Sequence, residues 1–341
     1  MGNGEFDWID ELAARFGAGA FGDGVHGIGD DAAIIPATAI GLQGRPTSWV
    51  VSVDSQVSGV HFQPAWLSWA ELGRRLMHVG FSDVAAMGAA PAFALVSVEV
   101  GAGVTAQDRR AFAEGIAAAN DELGVRLIGG NVSGRQEGFS AHVTAIGVSV
   151  RRTMLLRSGA CPGDAIYVTG PLGAAAAGIG ILRGQASENS SINAELVDAY
   201  RHPRAHWREG MALAESGWVH AAIDVSDGLA ADLGHLCDAG SVGAALESEA
   251  IPVSEALISW CRHTGRDPLD WALGGGEDYI LLFAAPPDSE REAEIGTLFK
   301  SFGGGLWRIG MITATGRLEI RRQGVWEPLP ARGFDHLAGH P

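Results

Sequence analysis

The sequence predicts a two-domain protein of the α/β class, in which strands and helices alternate. The chain has 341 residues, more than a single hydrophobic core usually organises. Apolar, β-branched runs alternate with longer segments of helical periodicity in both halves. A turn-rich stretch over 151–164 separates the halves. We therefore expect one domain over residues 1–150 and a second over 151–341.

The first half is predicted to begin its sheet with the valine-rich strand 48–53, which ends at Asp54. Apolar residues at helical spacing predict helices over 68–88 and 106–123. The remaining strands of this half are expected over 92–100, 125–128 and 142–150.

The second half repeats the alternation, although it is not a sequence repeat of the first. Polar residues over 184–192 predict a mobile loop. The strands are expected over 165–169, 221–225, 279–284 and 306–311, and the helices over 172–182, 229–239 and 291–299.

Composition limits the possible functions. A hydrophobic fraction of 47% is typical of a folded enzyme, and a net charge of −16 argues against a nucleic-acid partner. The single lysine, Lys300, does not follow a glycine-rich loop, so any ATP site lacks a P-loop lysine. An acidic protein that handles phosphates needs cations, which indicates bound metal.

The three cysteines and the hydropathy pattern indicate a reduced, cytoplasmic protein. Cys161, Cys237 and Cys261 are too widely spaced for a disulfide framework or a zinc motif. The amino terminus has no apolar signal core, and no apolar run reaches the ~18 residues of a membrane span. We expect neither a membrane segment nor export.

Six short polar motifs carry the functional prediction. Five of them contain carboxylates, and most are expected to end a strand or open a turn. Oxygen ligands suit Mg²⁺, which joins a few carboxylates to substrate phosphates, and glycine lets backbone N–H groups approach those phosphates. The motifs are Gly27-Ile28-Gly29-Asp30-Asp31, Ser52-Val53-Asp54, Ser82-Asp83, Gly129-Gly130-Asn131, Asp224-Val225-Ser226-Asp227-Gly228 and Gly275-Gly276-Glu277-Asp278.

Three acidic positions in the first half favour a metal site. Asp54 is expected at the carboxyl end of a strand, where ligands gather in open α/β sheets, with Ser52 on the same side. Asp83 interrupts a nonpolar helical stretch, which is costly unless the carboxylate is paired or metal-bound. The adjacent Asp30 and Asp31 repel each other, so a cation would stabilise them, although a surface turn is the alternative.

The second half contributes a strand–turn–helix motif at Asp224–Gly228, where Ser226 and helix N–H groups can meet an anion. Glu277 follows a triple glycine, for which a simple hinge is the alternative. Arg157 can clamp a polyphosphate or form a surface ion pair. His61 is either a phosphate contact or a structural histidine.

Taken in order, these motifs closely resemble the thiamine-monophosphate kinase family of the AIR-synthetase-like ATP-binding superfamily. The resemblance covers essentially the whole chain. It rests on Gly4-Glu5-Phe6, Gly29-Asp30-Asp31, Asp83-Val-Ala-Ala-Met-Gly-Ala-Ala-Pro91, Arg157-Ser-Gly-Ala-Cys-Pro-Gly-Asp164, Asp224-Val-Ser-Asp-Gly-Leu229, Gly275-Gly-Glu-Asp-Tyr279 and Gly333-Phe-Asp-His336.

The resemblance implies a two-domain AIR-synthetase-like fold, with an ATP- and Mg²⁺-binding N-terminal domain that also dimerises. It implies transfer of the ATP γ-phosphate to thiamine monophosphate with several Mg²⁺ ions. The implied metal ligands are Asp30, Asp31, Ser52, Asp54, Asp83, Asn131, Asp224 and Asp227. The implied ATP contacts are Gly130, Asn131, Arg157 and Ser226, and the implied substrate contacts are His61, Glu277 and Phe334.

Two positions depart from the family pattern. Asn131 replaces a common aspartate, and Val53 replaces a common hydroxyl residue, so ligand charge is lost. Because the acceptor is an ionised phosphate, no general base is expected.

Two alternative functions are considered: another ATP-dependent enzyme of the superfamily, such as a selenophosphate or aminoimidazole ribonucleotide synthetase, and a non-catalytic sensor of nucleotide or thiamine phosphate. Residues 1–30 lack the cysteine and lysine that selenium chemistry needs.

Overall fold

The structure is a computed structural model that describes Arg15 and residues 48–149, 154–186 and 189–329. The chain divides into two compact units. Unit 1 comprises Met1–Val84 and Ala89–Arg152, and unit 2 comprises Ala85–Gly88 and Thr153–Pro341. The predicted residues Asp30, Asp31 and Phe334 lie outside the described residues.

Unit 1 is built on a four-stranded sheet with the order β1–β4–β2–β3. Only the β2–β3 pair is parallel. The strands are β1 (Ser48–Val57), β2 (Ala90–Gly101), β3 (Arg126–Arg135) and β4 (Phe139–Ser149), and the helices are α1 (Trp69–Ala86) and α2 (Ala106–Leu123).

Each of the two helices within residues 48–149 begins with a capping box. Ser68 and Glu71 exchange side-chain-to-backbone hydrogen bonds before α1, and Thr105 does the same with Asp108 at α2. Gly124 ends α2 in the left-handed conformation. These local signals explain why the predicted range 106–123 agrees with the observed helix α2.

Two predicted strands in unit 1 are longer than expected. Strand β1 continues through Asp54 to Val57, because β4 offers ladder partners as far as Ser140. Strand β3 likewise continues through Gly129-Gly130-Asn131 to Arg135, paired with β2. The expectation that Asp54 and the glycine pair follow their strands is therefore wrong: these residues lie inside the sheet.

Unit 2 contains a seven-stranded sheet with the order β11–β10–β7–β9–β5–β8–β6, in which only β10–β7 is parallel. Its strands are β5 (Ala165–Val168), β6 (Ala221–Asp224), β7 (Gly243–Glu247), β8 (Leu281–Ala285), β9 (Trp307–Thr313), β10 (Leu318–Arg322) and β11 (Val325–Pro328). Its helices are α3 (Ala174–Leu182), α4 (Ser190–Arg201), α5 (Trp207–Ser216), α6 (Leu229–Gly240), α7 (Glu255–Thr264), α8 (Pro268–Gly274) and α9 (Ser289–Ser301).

Helices cover both faces of this sheet. Ile166 and Val168 of β5 pack in one core with Leu233 of α6, whereas Tyr167 packs in the other core with Phe299 of α9. Burial on both faces explains why β5, β6 and β8 are nearly continuous apolar runs in the sequence.

Several elements of unit 2 differ from the prediction. The predicted mobile loop ends early, because α4 begins at Ser190 with Asn189 as its cap. Two further strands follow the one expected last, and α4, α5, α7 and α8 were not predicted. In the part of the chain that the structure describes, no helix has the length and hydropathy needed to cross a membrane.

Candidate functional site

One group of predicted ligands comes together in unit 1, on the face of the sheet that α1 covers. Ser52 and Asp54 alternate with exposed valines on β1, so both face inward. The Ser52 hydroxyl donates a hydrogen bond to Asp83 Oδ2 on α1. Gly80, one turn before Asp83, lies so close to the sheet that a Cβ there would collide with Val143. The glycine thus lets the helix bring its carboxylate to β1.

Asp54 is held by its own strand. Its Oδ1 accepts a hydrogen bond from the Ser55 N–H at 2.5 Å, and Ser55 Oγ lies 2.7 Å from His142 Nδ1 on β4. Asp54 is half-buried, which keeps it accessible to a cation. Three oxygen donors of the type that Mg²⁺ prefers therefore converge on this face.

Asn131 occupies the opposite face of the same sheet. The ladder places Asp54 in one row with Gly130, so the next residue, Asn131, points away from Asp54. Asn131 is exposed, and Val53 is exposed on that same opposite face. Both departures from the family pattern thus lie on one side of the sheet, away from Asp83.

Gly130 has a structural role in this ladder. A Cβ at this position would collide with the carbonyl oxygen of Val96, so the approach of β3 to β2 requires glycine. His61 lies in the turn after β1, where its Nδ1 accepts the Val57 N–H at 3.1 Å. That hydrogen bond requires an unprotonated Nδ1 and leaves Nε2 as the protonated nitrogen of a neutral ring.

In unit 2 the strand–turn–helix motif holds a carboxylate of its own. The N–H groups of Ser226, Asp227 and Gly228 all donate to Asp232 Oδ2, at 3.0, 3.0 and 3.1 Å. The expectation that a ligand anion would meet these N–H groups is therefore wrong, because the chain's own Asp232 carboxylate already accepts from all three. The available signal was an acidic residue in the first turn of α6.

The two glycine-flanked motifs of unit 2 lie against each other. The Glu277 N–H donates to the Ser226 carbonyl at 2.8 Å, and a Cβ on Gly276 would collide with that same carbonyl. Glu277 and Tyr279 have φ values of 76° and 53°, which are unfavourable for residues with a side chain. The loop is thus held in a strained form that fixes Glu277 beside the Asp224–Gly228 turn.

Asp278, between these two strained residues, belongs to the predicted motif but is not one of the predicted site residues. Its Oδ2 accepts the Gly173 N–H at 2.7 Å, at the start of α3. The carboxylate therefore ties the loop to a helix terminus. Because the partner residue lies 105 positions away in the chain, the sequence pattern did not separate Asp278 from Glu277.

Burial and neighbouring charges raise the pKa of two acids of unit 2, Asp232 and Asp278. Burial, and then the charges of Asp224 and Asp227, raise the pKa of Asp232 to about 7. Burial also raises the pKa of Asp278 to about 7, and the neighbouring charge of Glu277 adds to the effect. A cation at this point would offset the mutual repulsion of these carboxylates.

Arg157 is exposed and lies beside the edge of the second sheet. The preceding residue, Leu156, accepts a hydrogen bond from the Ala222 N–H of β6 at 2.8 Å. Strand β6 ends at Asp224, so the segment that carries Arg157 lies beside the strand that leads into the acidic turn.

Among the described residues, only one set of three histidine, cysteine or acidic side chains has its ligand atoms within 4.8 Å of one another: Cys161, Asp164 and His220. It is not one of the predicted metal sets. A Mg²⁺ site does not require such a cluster, because the ion is usually held by one or two carboxylates together with waters and substrate phosphates.

Comparison with known proteins identifies the class first. The N-terminal domain of AIR synthase related proteins matches residues 29–149, and the C-terminal domain of the same class matches residues 161–323. The two-domain fold expected from the resemblance is thereby confirmed.

Similarity over the full length identifies the family. The chain is 32% identical to thiamine-monophosphate kinase of Salmonella typhimurium over 341 residues, covering 99% of each chain. The crystal structure of thiamine-monophosphate kinase from Stenotrophomonas maltophilia has a TM-score of 0.79 and 32% identity, covering 95% of this chain and 99% of its own. AaThiL complexed with AMPPCP and TMP has a TM-score of 0.76 and 26% identity, covering 98% and 97%. The chain belongs to the thiamine-monophosphate kinase family.

Proposed function

We propose that this protein transfers the γ-phosphate of ATP to thiamine monophosphate, giving thiamine diphosphate and ADP. The observation that carries the proposal is family similarity across 99% of the chain, which includes both acidic regions. The AaThiL structure complexed with AMPPCP and TMP provides the substrate pair by analogy.

The donor set of each unit fits Mg²⁺. In unit 1 the ion would be held by Ser52, Asp54 and Asp83, and in unit 2 by Asp224 and Asp227. The charges of Asp224 and Asp227 beside the buried Asp232 support a cation in unit 2, because neighbouring carboxylates otherwise repel each other. When bound, Mg²⁺ supplies charge neutralisation between two polyanionic substrates. From the family resemblance we propose Asp30, Asp31 and Asn131 as further ligands; because Asn131 lies on the opposite face of the unit 1 sheet, it would hold a separate ion from the one at Ser52, Asp54 and Asp83.

The chain's own residues act by binding and orientation. The acceptor is a phosphate oxygen that is already ionised, so no side chain is needed as a general base. Arg157 offers an exposed guanidinium for a phosphate, and Ser226 offers a hydroxyl beside the acidic turn. We assign ATP contacts to these two residues together with Gly130 and Asn131.

The thiamine phosphate contacts are assigned to His61, Glu277 and Phe334. The strained φ of Glu277 supports its part of this assignment, because strain of this kind persists where the surrounding structure fixes a functional side chain. His61 would present its Nε2–H, since Nδ1 is used by the backbone.

We also propose that the protein forms a homodimer through the exposed face of the unit 1 sheet. Trp49, Val51 and Val53 of β1 are 43%, 61% and 65% exposed. A contiguous apolar stripe of this kind on a sheet is typical of a protein–protein interface.

A cytoplasmic location is supported by three free cysteines, two of them buried.

The test is formation of thiamine diphosphate from thiamine monophosphate and ATP, measured by chromatography with and without Mg²⁺. Asp54→Asn and Asp227→Asn should each lower turnover by roughly 100-fold or more, because a ligand charge is lost while the side-chain shape is kept. Asp121→Asn, an exposed aspartate on α2, is the matched control and should leave turnover unchanged.

Thermal unfolding would show that each variant is folded. ATP and thiamine monophosphate binding without Mg²⁺-dependent product would refute the kinase and favour a non-catalytic relative. Wild-type turnover in both Asp→Asn variants would refute the metal assignment alone.

A further inference from the structure

We propose that Cys161, Asp164 and His220 form a binding site for a borderline-soft divalent transition metal, with Zn²⁺ as the best match. The ligand atoms of the three side chains lie within 4.8 Å of one another. The site is made of unit 2 residues alone and does not depend on the proposed kinase function.

Two of the three ligands come from one fixed turn. The Asp164 N–H donates to the Cys161 carbonyl at 2.9 Å, and Gly163 between them has a φ of 98°, which glycine adopts without strain. Gly163 and Asp164 are both hydrogen-bonded to Ile312 of β9, at 2.9 and 2.8 Å. Two hydrogen bonds therefore attach the turn to β9. The backbone of this turn sets the distance between the Cys161 thiol and the Asp164 carboxylate.

The third ligand approaches through a glycine. His220 precedes β6, and its N–H donates to the Ala284 carbonyl of β8 at 2.9 Å. A Cβ on Gly159 would lie 2.5 Å from the His220 carbonyl, so the two segments can meet only because residue 159 is glycine. His220 Nδ1 then lies 2.9 Å from Asp164 Oδ2.

The exposure of the three residues suits metal entry. Asp164 is buried, and its Oδ2 is also bonded to the Cys161 N–H at 2.8 Å, so the carboxylate is held in place. Cys161 and His220 are exposed, which leaves the thiol and the ring open to solvent. Three protein ligands with one side open would leave a fourth position for water.

The donor types select the metal. Thiolate, imidazole and carboxylate together are typical ligands of Zn²⁺, whereas Mg²⁺ prefers oxygen alone. The remaining cysteines, Cys237 and Cys261, are buried and cannot supply an alternative exposed thiol. A hydrogen-bonded cluster without metal affinity is the competing explanation.

Cobalt spectroscopy on the full-length protein separates these explanations, because a thiolate bound to Co²⁺ gives a near-ultraviolet charge-transfer band. We expect the band to saturate at about one equivalent of Co²⁺ and to disappear when Zn²⁺ is added. Cys161→Ser should abolish the band. His220→Gln should weaken Co²⁺ binding by roughly 10-fold or more, since one ligand is lost.

The matched control is His202→Gln. His202 Nδ1 lies 2.6 Å from Asp198, which gives a histidine–aspartate pair without a thiol, and its loss should leave the band unchanged. Absence of a thiolate band in the folded wild-type protein, or an unchanged band in Cys161→Ser, would overturn the proposal. Circular dichroism would establish that each variant is folded. Because the side chains of Cys161 and His220 are both exposed, neither substitution should disturb the core, so each variant tests metal binding by itself.

Discussion

Replacing Glu122 with glutamine should weaken the link between α1 and α2 in unit 1. Glu122 of α2 accepts hydrogen bonds from Arg74 Nε and Nη2 of α1, at 3.0 and 2.6 Å, so the pair is bidentate. Its Oε2 also lies 2.9 Å from Nε2 of the buried His78. The substitution removes the negative charge at the centre of this network while keeping the side-chain size.

The magnitude follows from the pKa of Glu122. Hydrogen bonds from His78 and then from Arg74 lower that pKa from 4.5 to about 2. At 1.36 kcal/mol per unit the shift corresponds to about 3 kcal/mol. Because the side chain is 42% exposed, solvent screening reduces the expected loss on substitution to roughly 1–2 kcal/mol.

The pH dependence has a definite sign. The folded-state pKa is depressed, so the stabilisation is complete above the unfolded value of 4.5 and is lost as pH falls toward 2. The difference in the free energy of unfolding between wild type and Glu122→Gln, measured in urea, should therefore be largest at pH 7 and become smaller as the pH is lowered to 3. Glu114→Gln, an exposed residue of the same helix, is the control and should change stability by less than ~0.5 kcal/mol. Equal destabilisation by Glu122→Gln at pH 7 and pH 3 would refute the charge-based explanation.

Three further predictions concern the candidate site. Asn131→Asp should increase turnover at limiting Mg²⁺, because a ligand charge returns to the exposed face of the unit 1 sheet; an unchanged Mg²⁺ titration would contradict this. Gly276→Ala should lower stability by about 1–3 kcal/mol in urea unfolding and reduce turnover, since the new Cβ collides with the Ser226 carbonyl. Asp232→Ala should lower the free energy of unfolding by about 1–3 kcal/mol, because three backbone N–H groups lose their acceptor. Substitution of the exposed Asp238 on the same helix by alanine should change it little. Equal effects of the two substitutions would refute the capping role.

Local signals explain which elements could be predicted. Helix α2 was predicted with its observed bounds because its cap residues, Thr105 and Gly124, are adjacent to it in sequence. Helices α4 and α5 were missed, since their segments mix polar and apolar residues and their buried residues pack against other parts of unit 2. Strand lengths were underestimated because a ladder extends as far as its partner strand does.

The site was predictable as a set of residues but not as an arrangement. The acidic motifs and the family resemblance selected Ser52, Asp54 and Asp83, and the structure brings these three together. No local pattern showed that Asn131 faces away from them. Asn131 faces away because β3 continues through the glycine pair. Successive residues of a strand point to opposite faces of the sheet, so the residue after Gly130 lies on the other face.

The sequence by itself determined the inventory of ligands, the absence of a P-loop lysine and the family. Tertiary structure alone decided that Asp232 fills the N–H groups of the acidic turn, and that His220 lies beside Cys161 and Asp164. The physical reason is that residue types and local caps act over a few positions. Contacts between distant segments depend instead on sheet register and on the glycines that allow close approach.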